Sequence, residues 1–495
     1  MRTVVVGAGA AGAIIAARLT EHRSDPVLLL EAGPDYGSEI PADLADGTRN
    51  SLTAHDWGLT HRPTSSLPPF PLPRGRVVGG SSAVNTCIAL RGQPEDYDEW
   101  ADRGLNGWSW AECLPAFKRL ERDLDFGDRP HHGSDGPLPV RRHKASELVP
   151  WQAGFLDACE RSGLPACEDT NAPHATGYGC HAMNKIEGRR ISAAEAWLTP
   201  EVRSREHLTL VADTLVHRVR IDGDRVLGVE VSQDGETRNI DADRVVLCGG
   251  AFGTLGLLLR SGIGPKAELD RMGVTCVRDV PAVGSRLLDH PGCALFFRPK
   301  ADAQFDPLHP LIQTVALIRE EGAIRNTLQL QAGSCIPTKW GAIRGVSLMM
   351  SVCKPHSVGR ARFKSADPLE KPTITSNFYR DPRDLALAVE GLGFLSQLAD
   401  SPALKGLGWG FYPTQFAARR EWLLRRWIPV ACDSGYHPCG TVPMGEATDD
   451  RGRIDGLEAL TIADASLFPT IPASNIHIPT LMVGERFGAW LSGIA

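Results

Sequence analysis

Two short, almost unbroken apolar runs frame the first thirty residues. Thr3–Val6 (TVVV) and Val27–Leu30 (VLLL) show no polar alternation. That pattern suits strands of a parallel sheet covered on both faces. Between them lie a glycine-rich turn, GAGAAG over Gly7–Gly12, and a run of good helix formers, Ala13–Leu19. Strand, turn, helix and strand are expected in that order. Residues 34–73 are rich in Pro, Ser, Asp and Gly and read as an irregular excursion. RGRVVGGSSAVN (Arg74–Asn85) is compact and rich in Gly and Ser, and 123–143 is polar and rich in Pro and His. Leu208–Val211, Val216–Ile221, Val226–Val231 and Val245–Leu247 predict short strands separated by turn signals such as Asp222-Gly223-Asp224. Residues 293–430 are mixed and hold no second glycine-rich nucleotide loop. Within them, 417–427 reads as one helix with Arg419, Arg420, Arg425 and Arg426 on a solvated face. The tail returns to strand at Leu460–Ala463 and to helix at Pro479–Leu491.

Length changes this picture first. A chain of 495 residues exceeds one simple core, so two domains sharing a long interface are expected. A formal charge of −6 offers no basic surplus for a nucleic-acid partner. The 12 cysteines form no C-x-x-C, and no H-E-x-x-H occurs, so no metal site is expected. The first strand begins almost at Met1, which argues against a secretory leader. No apolar run reaches the roughly 20 residues of a membrane span. Free cysteines without a leader then point to the cytoplasm.

The opening turn matches G-x-G-x-x-G. Gly7 permits a tight turn, Gly9 lets the backbone approach a pyrophosphate, and Gly12 lets the helix pack on the strand. The helix start offers unpaired N–H groups to phosphate. Glu31 ends the second strand, about 20 residues on, where a carboxylate can accept from ribose hydroxyls and would repel a 2′-phosphate. A dinucleotide is expected, without a choice between FAD and NAD.

Five further segments occur in order: LEAGPD (Leu30–Asp35), RGRVVGGSSAVN, GAFGTLGLLLRSGIGP (Gly250–Pro265), YHPCGTVPMG (Tyr436–Gly445) and IADASLFPTIPASNIHIPTLM (Ile462–Met482). Together they resemble the glucose–methanol–choline (GMC) oxidoreductases, especially bacterial alcohol oxidases and dehydrogenases such as hydroxymethylfurfural oxidase, choline oxidase and choline dehydrogenase. The resemblance implies an α/β fold. A Rossmann-type FAD-binding domain of GMC topology, like that of p-hydroxybenzoate hydroxylase (PHBH), would comprise 1–148, 190–290 and 435–495. An α+β substrate domain, 149–189 and 291–434, would set an antiparallel sheet over the flavin. Gly79, Gly80, Asn85, Thr86, Cys87 and Ile88 would lie against the pyrophosphate and flavin ring. The Val216 backbone would meet the adenine, and Asp464 and Ala465 the ribityl and phosphate region. Some members tether FAD to a histidine at the position of Val84, so non-covalent FAD is expected here. Leu255 replaces the usual Pro of the second signature.

The chemistry implied is alcohol oxidation. FAD accepts a hydride at N5, and the protein must supply a base. His437 matches the family's catalytic histidine and titrates in the right range. His477, within NIHIP, would hydrogen-bond the same substrate oxygen from the other side. Pro479 suits the first turn of a helix whose positive end would face the flavin pyrimidine. A neutral primary or aryl alcohol is the expected substrate, with O₂ or another electron acceptor as the second partner. Two alternatives stand beside the oxidase. One is a dehydrogenase feeding a quinone or protein carrier, in keeping with the HPCGT wording and with Gly435 where several oxidases carry Val. The other is a non-redox member, a hydroxynitrile lyase or photodecarboxylase.

Overall fold

The computed structural model describes residues 1–22, 24–338 and 341–493, so small parts of the expected domains, at 23, 339–340 and 494–495, lie outside the described residues. A five-stranded parallel sheet runs in the order Leu208–Val211, Val27–Leu30, Thr3–Val6, Arg244–Leu247 and Leu460–Ile462. Its inner strands are buried on both faces, as their unbroken apolar sequences require. The chain leaves Thr3–Val6 towards one neighbour and returns much later on the other side. The strand order therefore reverses at the end of the first strand, where open α/β sheets bind their ligands.

The helix after the turn spans Ala10–Leu19, three residues earlier than the helix formers alone suggest. It packs along the C-terminal helix, His477–Ser492. A Cβ on Gly12 would fall 1.9 Å from the Gly7 carbonyl oxygen, so only glycine lets this helix start so close to its strand. Beside the sheet, Leu215–Asp222, Arg225–Gln233 and Glu236–Asp241 form a three-stranded antiparallel ribbon.

A second, seven-stranded antiparallel sheet places Pro291–Pro299, Val346–Val352, Leu328–Gly333 and Thr314–Ile318 side by side. Gly408–Tyr412 and Gly177–Cys180 close its two edges. Its side chains sort by the two-residue period of a strand. Leu328, Leu330, Leu348 and Val352 join a core beneath Pro150–Arg161 and Pro382–Leu398. Their alternates Gln329, Gln331, Ser347, Met349 and Ser351 face a cavity. The apolar interior accordingly divides into two main clusters, one around the parallel sheet and one behind the antiparallel sheet.

Candidate active site

One cavity of about 960 Å³ is walled by the glycine-rich turn, the 80–88 segment, the inner face of the antiparallel sheet and the 434–438 loop. At one end Gly7, Gly9 and Glu31 meet Val216. A Cβ on Gly80 would stand 2.8 Å from the Gly9 Cα, so two glycine backbones pinch together where a pyrophosphate is expected. Gly80, Asn85, Thr86 and Ile88 line the middle with Asp464 and Ala465. Glu31 accepts from the Ala8 and Gly33 amides, each at 3.0 Å. Burial pushes its carboxyl up to about 7 against the pull of those N–H groups. Asp464 accepts from the Gly250 amide, the Thr254 hydroxyl and the Ser466 amide at 2.6–2.8 Å, tying its own turn to the helix Gly250–Arg260 at the cavity. Leu255 is wholly buried in the helix Gly250–Arg260, so this helix forms without the family's usual Pro. Volume, paired glycine backbones and a buried ribose-side acid all fit FAD.

Four sequence-expected residues stand behind this wall rather than in it. Gly12 serves helix packing. Gly79 donates its amide to the Ala8 carbonyl at 2.8 Å and ties the two glycine segments together. Cys87 is buried with Arg190 Nη1 3.9 Å from its sulfur. Pro479 sits within the first turn of the C-terminal helix.

At the other end, His437 is held from three sides. Its amide donates to Asp289 Oδ1 at 2.9 Å, and that carboxylate also accepts from the Ser434 hydroxyl at 2.5 Å. The preceding residue, Tyr436, takes φ of 64° and its carbonyl accepts from Arg74. The ring lies edge-to-face on His290, with Nδ1 of each 2.9 Å apart. The His290 contacts decide the tautomers. His290 Nε2 faces two carbonyls, Cys353 at 2.9 Å and Pro472 at 3.1 Å, so it carries the proton. Neutral His290 then offers a bare Nδ1, which must accept from His437 Nδ1–H. His437 Nε2 is left unprotonated. Asn475 agrees independently: Gln329 Nε2 donates to its Oδ1 at 3.2 Å, which turns its Nδ2 toward His437 Nε2 at 3.0 Å. Burial, His290 and Arg74 all hold His437 well below the usual imidazole range.

The residue facing His437 Nε2 is thus Asn475, which the sequence did not single out, and His477 lines the same cavity two residues further on. His477 opens the helix, lines the cavity, and its Nε2 is buried without a hydrogen-bond partner. Burial and Arg190 lower it to about 4. Asn475 precedes the cap of this helix, so the two side chains enter the cavity from different backbone settings. His290, Asp289 and Gln329 were also missed. The only sequence hint was LLDHP just ahead of a strand, a segment that holds no recognised spacing.

The profile of the family described as GMC oxidoreductase matches residues 1–292 and, in its C-terminal part, 355–484. The chain belongs to the GMC oxidoreductases. These proteins bind FAD, and this one is an FAD-dependent oxidoreductase of the GMC fold. It is 33% identical to 5-(hydroxymethyl)furfural oxidase of a Methylovorus species, over 98% of this chain and 97% of that one. It is 31% identical to oxygen-dependent choline dehydrogenase of Photobacterium profundum, over 98% and 91%. The crystal structure of pyridoxine 4-oxidase from Mesorbium loti superposes with a TM-score of 0.90 at 29% identity, covering 99% and 98%. Among the described residues of this GMC protein no helix is long and apolar enough to cross a membrane.

Proposed function

We propose that this GMC oxidoreductase oxidises a neutral primary or aryl alcohol to its carbonyl product, with His437 as the base and O₂ as the electron acceptor. The carrying observation is the histidine relay that leaves His437 Nε2 bare beside the Asn475 amide. An alcohol oxygen bound against this pair would take Nε2 over from the Asn475 amide, donate its proton there and accept from Asn475 Nδ2 as charge develops. Nδ1 of His437 keeps its hydrogen bond to His290 throughout, which steadies the imidazolium that forms. Bound FAD supplies the hydride acceptor. Gly80, Glu31 and Val216 would hold its adenosine and pyrophosphate end, and the start of His477–Ser492 would lie toward the flavin. The central strands over the cavity present the uncharged Gln329, Gln331, Ser347, Met349 and Ser351, and the sheet carboxylate that lines it, Asp433, is met by His61 at 3.0 Å, which supports a neutral substrate. The two apolar clusters support a division into an FAD-binding and a substrate domain.

O₂ is favoured by the likeness to hydroxymethylfurfural oxidase. The dehydrogenase reading has one structural observation of its own. A Cβ at Gly435 would lie 3.1 Å from His437 Nδ1 and 3.2 Å from the His290 carbonyl oxygen, so this relay is built for the small residue that several oxidases lack. Anaerobic stopped-flow with a panel of alcohols tests the base. His437→Ala should slow flavin bleaching by about a hundred- to ten-thousandfold with FAD still bound. The wild-type rate should stay flat from neutral into mildly acidic pH, because the base is held unprotonated, and fall only in stronger acid. Near-normal bleaching by His437→Ala would remove His437 from the mechanism. Mixing the reduced enzyme with air then separates oxidase from dehydrogenase.

A further inference from the structure

Strand Gly408–Tyr412 is an edge of the seven-stranded sheet, and it carries exposed aromatic side chains. Trp409 is 54% exposed and Tyr412 64%; just beyond, Phe416 is 61% and Trp422 56% exposed. Four large aromatics this accessible on one stretch are a contact surface rather than scattered apolar residues. Charge marks the same stretch. Between 408 and 430 the chain has Arg419, Arg420, Arg425 and Arg426 against the single acid Glu421, in a protein whose formal charge is −6. Cations lie over the exposed rings: Arg420 is 3.5 Å from the Phe416 centroid, and Arg426 and Arg298 are 5.6 Å from those of Trp422 and Trp409. The patch also borders the cavity. Phe296, which pairs in register with Tyr412, and Ala431, which follows exposed Val430, both line it.

We propose that this face docks on an anionic lipid bilayer. Exposed Trp, Tyr and Phe interleaved with arginines suit the boundary between headgroup phosphates and acyl chains. A second copy is disfavoured, since an isologous contact would set one arginine cluster against the other. Docking would bring the Phe296 and Ala431 wall of the cavity near the lipid.

Flotation of the FAD-bound protein with vesicles tests this. At low salt it should rise with vesicles containing phosphatidylglycerol, stay behind with pure phosphatidylcholine, and dissociate as salt is raised. The pair Arg420→Glu/Arg426→Glu and, separately, Trp409→Ser/Trp422→Ser should each weaken binding by about tenfold or more, with flavin absorbance and alcohol-driven bleaching retained. No flotation of the wild type with the anionic vesicles would overturn the proposal. So would undiminished flotation of both variants. A concentration-dependent dimer abolished by Trp409→Ser/Trp422→Ser, without vesicle binding, would reassign the face to a second copy.

Discussion

Asn475 and His477 share one motif, and the geometry gives them different work. Asn475 lies just ahead of the helix, fixed by Gln329, with its Nδ2 against the base. His477 is the first helical residue and has no partner at Nε2. Removing Asn475 would cost a hydrogen bond to a charging oxygen, worth about 1.5–3 kcal/mol. Asn475→Ala should therefore slow anaerobic flavin bleaching by roughly tenfold to a hundredfold, while His477→Ala should have the smaller effect. A larger loss in His477→Ala would return the second role to the histidine. The sequence located the motif but did not single out Asn475 within it, because spacing does not say where the helix begins. His290 was less legible still. Its role arises only when Cys353, Pro472 and His437, distant in sequence, converge on one ring and fix its proton.

Elements were legible where burial leaves an unbroken apolar mark. Thr3–Val6, Val27–Leu30 and Leu208–Val211 keep their expected bounds. Glu236–Asp241 (ETRNID) escaped notice because it is a mostly exposed edge strand with little apolar content. The expected helix over 417–427 breaks in two, Gln415–Ala418 and Glu421–Trp427, where Arg420 takes an extended conformation. The 123–143 stretch is polar in sequence, yet several of its charges are buried in pairs. His132 bridges Glu121 at 2.7 Å and Asp169 at 2.9 Å, and Arg142 holds Asp123 at 2.6 Å. Composition cannot distinguish a solvated charge from a paired one. The glycine crossing gives the prediction at this scale. Gly80→Ala meets both a φ of 53° and the Gly9 backbone. Strain of about 1–3 kcal/mol should fall on the FAD-bound shape of the crossing and weaken FAD about five- to a hundredfold. Gly104→Ala is the control, since its φ of 85° is equally unfavourable but nothing lies within 4 Å. It should leave the FAD dissociation constant unchanged. Equal constants in both variants would mean that the crossing does not grip the cofactor.

At the scale of the molecule, the cavity adds a shared surface to segments already joined by the parallel sheet and by the packing of Ala10–Leu19 on His477–Ser492. Its walls come from both ends of the chain and from the antiparallel sheet, and it separates the two main apolar clusters. A ligand filling it would contact both, so FAD should act as a structural part of the fold as well as a reagent. Val84, at the position where some relatives tether FAD, is an aliphatic side chain and cannot form that bond. Acid ammonium sulfate should therefore release free FAD into the supernatant, and flavin retained in the pellet would refute non-covalent binding. The apoprotein should then melt at lower temperature than the holoprotein. Because only the folded cavity can bind FAD, stabilisation should grow as the logarithm of free FAD, reaching about 4.1 kcal/mol at a thousand times its dissociation constant. Differential scanning calorimetry over a series of added FAD concentrations measures this directly. A melting temperature independent of added FAD would mean that the folded cavity does not bind FAD in preference to the unfolded chain, and would overturn its assignment to the cofactor.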